Sequence, residues 1–177
     1  MSRVAVRAYD PADRAAVLAI FDSNLPEYFG AGDREWLEET LDDPDGPAFV
    51  VTVDGAAAAF GGYELWEHYN KALLYWGMAS RRFHRAGLGR LLLFARLAHA
   101  AQAAEPATRW VTVDTSPRVA PFFERCGFET TAVWPQGYRS GMTMHELRFD
   151  LAATTAAALV AACDAALAAA ERHVADL

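Results

Sequence analysis

The sequence predicts an α/β (α+β) fold with an extra C-terminal helix, and three observations lead there. Seven segments carry the period-two, β-branched or aromatic pattern of strands, and four segments with apolar residues three and four apart lie between them. Asp54-Gly55 separates two of the strands as a two-residue hairpin turn, because both residues tolerate positive φ. A composition of 53% hydrophobic and 22% charged residues over 177 positions suits one buried core rather than a disordered chain.

Residues 3–8 read as the first strand, within the alternating run Met1-Ser2-Arg3-Val4-Ala5-Val6. Asp10-Pro11 supplies an N-cap and a proline at the first helical position, where its missing N–H costs nothing. The helix that follows buries Val17, Ile20 and Phe21, and Asn24-Leu25-Pro26-Glu27-Tyr28-Phe29-Gly30 is an aromatic and polar loop. Asp33 is placed to cap a second helix carrying Trp36, Leu37 and Leu41, which stops before Asp43-Pro44. Ala48–Val53 and Ala56–Trp66 are the hairpin strands, and a polar loop over 67–71 leads to a fourth strand at 73–79. A long helix starts near Gly87 and buries Leu88, Leu91, Leu92 and Ala95. Trp110–Thr115 is the fifth strand, and Pro117 opens a short helix that ends at Cys126-Gly127. The last strands, 128–134 and 142–149, are joined by Pro135-Gln136-Gly137-Tyr138-Arg139-Ser140-Gly141.

Residues 153–175 form an alanine-rich helix, alanine having the best intrinsic propensity. Its Leu159, Cys163, Leu167 and Val174 make a thin stripe that calls for cover from the domain or from a second copy, so a homodimer through this helix or a sheet edge is one expectation. The expected division is a domain over 1–150 and a helix over 151–177.

A net charge of −7 opposes nucleic acid and anionic membrane as partners and favours a cationic substrate such as an amine. Cys126 and Cys163 make neither a metal spacing nor a disulfide framework, so no metal is expected. The N-terminus lacks the apolar run of a signal peptide, and Asp164, Glu171 and Arg172 break the alanine-rich segment as a membrane span. The cytoplasm is the expected location.

His84-Arg85-Ala86-Gly87-Leu88-Gly89-Arg90 lies where a strand hands over to a helix. Amides at such a helix start point outward, glycine admits a diphosphate closely, and Arg85 and Arg90 add positive charge. A dinucleotide fingerprint would need a third glycine where Leu92 stands, and a Walker loop would need Lys where Arg90 stands.

The stretch from Trp76-Gly77-Met78-Ala79-Ser80 through Gly87-Leu88-Gly89-Arg90 resembles the acetyl-CoA motif of the GNAT superfamily of N-acetyltransferases, Gln/Arg-x-x-Gly-x-Gly/Ala after a strand, with His84 at the Gln/Arg position. Phe122-Phe123-Glu124-Arg125-Cys126-Gly127-Phe128 is similar to that family's Tyr-x-x-x-Gly-Phe segment. The resemblance implies a mixed, mostly antiparallel seven-stranded sheet splayed between its fourth and fifth strands. Acetyl-CoA as co-substrate would then meet Met78, Ala79, Ser80, His84, Arg85, Ala86, Gly87, Leu88, Gly89, Arg90, Ser116 and Phe123, with backbone groups of Met78 and Ala79 pairing with pantetheine and serving the oxyanion. It implies direct acetyl transfer to an amine of a small molecule or protein. A non-catalytic acyl-CoA-binding module is the second reading.

The family's glutamate base falls on Leu73 and its tyrosine acid on Phe123, and neither residue moves a proton. Replacements are sought in Tyr138, Asp114 and Glu64, with His68 beside Glu64. Tyr28 and Phe29 stand where the family shapes its acceptor pocket. His145 reads as a satisfied edge-strand residue, Cys126 as buried packing, and Trp66, Trp76, Trp110 and Trp134 as packing on strands.

Overall fold

The computed structural model describes residues 3–30, 32–103, 108–138 and 141–177. Met1 and Ser2 of the expected first strand, and Arg139 and Ser140 of the expected loop, lie outside the described residues. The strands are β1 (Val4–Ala8), β2 (Ala48–Val53), β3 (Ala56–Trp66), β4 (Lys71–Ala79), β5 (Trp110–Thr115), β6 (Glu129–Trp134) and β7 (Met144–Asp150). They form one sheet in the order β1-β2-β3-β4-β5-β7-β6, in which β4 and β5 are parallel and every other pair is antiparallel. The helices are α1 (Arg14–Ser23), α2 (Asp33–Asp42), α3 (Leu88–Ala103), α4 (Ala120–Arg125) and α5 (Ala156–Ala175).

Alternation along β3 divides the core. Ala59 and Tyr63 turn into a cluster with Leu88, Leu91 and Leu92 of α3 and Leu159, Ala166 and Ala170 of α5. Phe60 turns the other way, against Val17 and Phe21 of α1 and Leu37 and Leu41 of α2. Helices therefore cover both faces, α3 with α5 on one and α1 with α2 on the other.

Local chemistry fixes the element ends. Asp54 (φ 50°) and Gly55 (φ 86°) both adopt the left-handed region that the hairpin turn requires. Asp10 and Asp13 form a reciprocal capping box over a 3-10 turn at Pro11–Asp13 before α1 begins. Asp33 is not a cap: α2 starts on it, and its carboxylate instead accepts the N–H of Gly30 at 2.8 Å. The helix expected from Pro117 begins later, at Ala120, because the Ser116 carbonyl first takes the N–H groups of Val119 and Ala120 in a turn. β4 opens at Lys71, two residues early, after a 3-10 turn at Glu67–Tyr69.

α5 is capped by Thr155, whose hydroxyl accepts from Ala158 N–H at 3.1 Å. Its buried residues are Leu159, Ala166, Ala170 and Val174, with Cys163 and Leu167 only partly covered, so the stripe is made as much of alanine as of large residues. His145 is not on an edge: β7 lies between β5 and β6, and its Nδ1 is buried without a hydrogen-bond partner among the described residues. Trp134 is exposed rather than packed, and Trp110 is flanked by the guanidinium groups of Arg109 and Arg148. Cys126 is buried as expected, which raises its thiol pKa. No helix among the described residues is long and apolar enough to cross a membrane.

Candidate active site

β4 and β5 pair from Lys71↔Trp110 to Leu74↔Val113 and then part, although β4 runs on to Ala79. The other side of β4 stays joined to β3, but with an irregularity. Tyr75 pairs with Gly62 and Met78 with Phe60, which leaves Trp76 and Gly77 opposite Gly61 alone. This is a β-bulge, and Trp76 in it takes φ 48°, a conformation unusual for a bulky residue.

Beyond the bulge the ladder is regular. Ser80 N–H donates to Ala58 O, so its two-removed neighbour Met78 also turns its backbone groups towards β3. Ala79, one step out of phase, points its own into the cleft between the arms. Its carbonyl is occupied there: Asn24 Nδ2 donates to it at 2.9 Å, and His84 Nε2 lies at 3.2 Å.

The chain then turns into α3. Arg85 (φ 68°) and Gly87 (φ 86°) are left-handed, and Leu91 N–H, on Gly87 O, makes the first backbone hydrogen bond of the helix. The amides of Gly87, Leu88, Gly89 and Arg90 find no acceptor among the described residues, as expected of a helix start. Leu88 and Ala86 are buried anchors, while Arg85 and Arg90 are exposed. Unpartnered amides, two exposed guanidinium groups and the positive end of a helix make a cradle for an anion.

The loop between α1 and α2 lies over this cleft. Asn24 is buried and ties Ile20 O to Ala79 O through one amide group. His84 Nε2 sits 3.0 Å from Asn24 Oδ1, and the Tyr28 ring meets the His84 ring edge-on. Glu27 forms ion pairs with Arg81 beyond β4 and Arg118 beyond β5, so one carboxylate links the two arms. The Arg81 guanidinium first, and then Arg118, hold its pKa below the usual carboxylate range. Phe29 packs instead into the aromatic group of Phe21 and Trp76.

Register puts two of the four proposed proton carriers on one face. Glu64 is the direct partner of Leu73, Leu73 of Thr112, and Asp114 follows two residues on, so Glu64 and Asp114 share the face away from α3. Tyr138, in the β6–β7 loop, comes within the electrostatic reach of Asp114. Burial first, then the charges of Asp114 and Asp33, push its hydroxyl up to about 12. Asp114 is open to solvent, yet surrounding protein and the facing Glu146 raise its pKa against the opposing pull of Lys71. His68 is elsewhere, in the turn at the far end of β4 from Ala79. Phe123 is buried between Phe122 and Phe128, and Ser116 shapes the turn before α4.

A model of the acetyltransferase (GNAT) family matches residues 17–128, more than half of the chain. The chain belongs to this family. No curated protein sequence matches it. Among solved structures, one described as a GNAT-family acetyltransferase from Desulfovibrio desulfuricans is 25% identical, with a TM-score of 0.72, covering 84% of this chain and 99% of that one. Ard1 from Thermoplasma volcanium is 22% identical at a TM-score of 0.66, covering 83% and 97%. The yncA protein of Salmonella typhimurium, solved with its cofactor acetyl-CoA, is 18% identical at a TM-score of 0.65, covering 84% and 94%. These GNAT structures are matched almost end to end while about a sixth of this chain is left over, so the chain is the longer partner in each comparison.

Sequence reasoning misses Asn24 and Glu27, which border this cleft, and Arg96, which lies against the β3–β4 bulge. Asn24 and Glu27 are polar residues in a loop, with no local pattern to mark them. Arg96 did leave a trace, as a charge inside the apolar run Leu91-Leu92-Leu93-Phe94-Ala95-Arg96-Leu97.

Proposed function

We propose that the chain transfers the acetyl group of acetyl-CoA directly to an amine of a small molecule or protein. The parting of β4 and β5 above the unpartnered amides of Gly87–Arg90 carries this reading. Those amides, with Arg85 and Arg90, fit the diphosphate, and Ala79 N–H faces the cleft where pantetheine would extend. In this reading Ser80 and Ser116 meet the cofactor, while Ala86 and Phe123 support it from the core beneath. When bound, acetyl-CoA supplies an activated acyl group as a thioester. Residues 1–150 form the transferase unit, and the helix within 151–177 is its outer cover.

In the transfer, the amine nitrogen bonds to the acetyl carbonyl carbon and the carbon–sulfur bond breaks. One N–H proton leaves the nitrogen, and one proton ends on the thiolate sulfur. Asp114, with its raised pKa, and Glu64, beside the position of Leu73, are the groups that take the amine proton. Tyr138 remains protonated at neutral pH and donates a hydrogen bond to the leaving sulfur.

The test is thiol release from acetyl-CoA over a panel of amines. Turnover by the wild type is expected, with kcat lowered about 10–100-fold in Tyr138→Phe and Asp114→Asn. Tight acetyl-CoA binding without turnover on any amine would instead favour a non-catalytic acyl-CoA-binding module, a reading motivated by Leu73 and Phe123.

A further inference from the structure

Arg96 projects from α3 beneath the bulge, and only 2% of it is exposed. Among the described residues no carboxylate pairs with it. Its partners are three neutral carbonyls: Nε donates to Leu92 O at 3.3 Å, and Nη1 donates to Gly62 O at 3.2 Å and Tyr75 O at 3.3 Å. Gly62 and Tyr75 are cross-strand partners, the last pair before the register shifts. A Cβ on Gly61 would lie 3.0 Å from Nη1, and one on Gly77 would lie 3.0 Å from Nη2. The guanidinium thus fills the space left by two facing glycines at the bulge itself.

Burial lowers the Arg96 pKa to about 10, so it stays charged at neutral pH. A buried cation without a counter-charge is costly to hold, so its place against the bulge needs a reason. The peptide joining Tyr75 to Trp76 is trans, so its N–H leaves on the side opposite the carbonyl that Arg96 holds. A cation on that carbonyl polarises the unit and strengthens its N–H as a donor.

We propose that Arg96 is a positioning residue for acetyl transfer: it props the β4 bulge from below and lends positive charge to the strand where the thioester oxygen gains negative charge. The inference rests on the acetyl-transfer reading above. It accounts for Gly61 and Gly77 together, since a side chain at either would displace the guanidinium. It also places the charge on the α3 side of the sheet, leaving the opposite face to Glu64, Asp114 and the acceptor.

The experiment compares wild type with Arg96→Lys and Arg96→Gln in kcat, in acetyl-CoA dissociation constant and in the infrared carbonyl stretch of bound 13C-acetyl-CoA. Arg96→Gln is expected to lower kcat by about 100-fold with acetyl-CoA affinity within about threefold, and Arg96→Lys to recover part of the loss. The carbonyl stretch is expected to rise from wild type to Lys to Gln as polarisation weakens. Wild-type kcat in both variants, an unmoved stretch, or kcat and affinity falling together with the folded fraction would overturn the proposal. If Gln does not fold, the Lys variant decides alone; if neither folds, Arg96 is only a structural strut and the proposal fails. Absence of acetyl-CoA binding in the wild type is a different result, a failure of the acetyl-transfer reading itself.

Discussion

Two tasks meet at Asp13. Its carboxylate accepts both Arg7 nitrogens, at 2.6 and 2.7 Å, and also the Asp10 N–H at 3.0 Å that completes the capping box. The Arg7 hydrogen bonds outweigh burial and hold its pKa below the usual carboxylate range. A carboxylate depressed on folding stabilises above its unfolded pKa, and that stability is lost as pH falls through the folded value. Asp13→Asn is therefore expected to cost about 1–2 kcal/mol at pH 7, with the gap to wild type closing below about pH 4. Urea midpoints at pH 7 and pH 3 check this, and a gap unchanged with pH would count against it. At Gly87 the limit is conformational. Its φ of 86° costs a β-branched residue about 1–2 kcal/mol, and relieving that strain would turn the neighbouring cradle amides out of line. Gly87→Val is expected to lower stability by that amount and weaken CoA binding about tenfold or more, measured by denaturation and by calorimetry. The two glycines were legible from sequence because the cradle is made of backbone, and a glycine pattern records backbone directly. Asp114 and Tyr138 were named as separate candidates, but their meeting depends on a loop returning across β5, and no local spacing encodes that.

Among the elements, α5 shows how a small residue escapes sequence reading. The large residues of the tail suggest a stripe through Cys163 and Leu167, but the contact with α3 runs through Ala166 and Ala170. A Cβ on Gly87 would lie 3.7 Å from Ala170 Cα, an ordinary van der Waals contact, so Ala170 comes close to the turn that opens α3. Alanine reads as neutral on a hydropathy pattern, yet its size is what permits this approach. Leu159 is the large buried contact near the start of α5. Leu159→Ala is expected to cost about 2–4 kcal/mol, and Leu167→Ala clearly less because Leu167 is only partly covered. Guanidinium denaturation distinguishes them. Equal small losses together with a drop in solution mass would mean that the helix faces a second copy instead. The strands were more legible, because alternation over five or more residues survives errors at the ends. Their bulge was not, since a bulge adds one residue without changing the apolar count.

Across the whole molecule, the net charge of −7 sets how an acceptor arrives. The face bearing Asp114, Glu146 and Glu64 also carries Lys71 and Arg148, so acids outnumber bases among these by one. A di- or polyamine is steered towards such a surface, and salt screens the attraction within about 10 Å at 0.1 M. kcat/KM for a polyamine acceptor is expected to fall several-fold between about 50 and 500 mM NaCl, while an acceptor neutral at the assay pH shows little change. Steady-state assays over a salt series check this, and a flat polyamine profile would remove charge as a basis for acceptor choice. The mixed, mostly antiparallel character of the sheet and the parting of β4 from β5 followed from the family resemblance, whereas hydropathy alone yields strands without their neighbours.

The engaged carbonyl of Ala79 has its bearing on the heat of binding more than on its strength. It already accepts from Asn24 Nδ2, and His84 Nε2, which also faces Asn24 Oδ1, lies beside it before any ligand amide arrives. A newcomer seeking that oxygen must trade places with a protein donor, so bonds are exchanged rather than added and little enthalpy is released there. Asn24, once displaced, loses its bond to β4 and keeps those to Ile20 O and Ser23 Oγ within α1. A ligand amide that displaced Asn24 would thereby slacken the loop whose Glu27 joins the β4 and β5 arms.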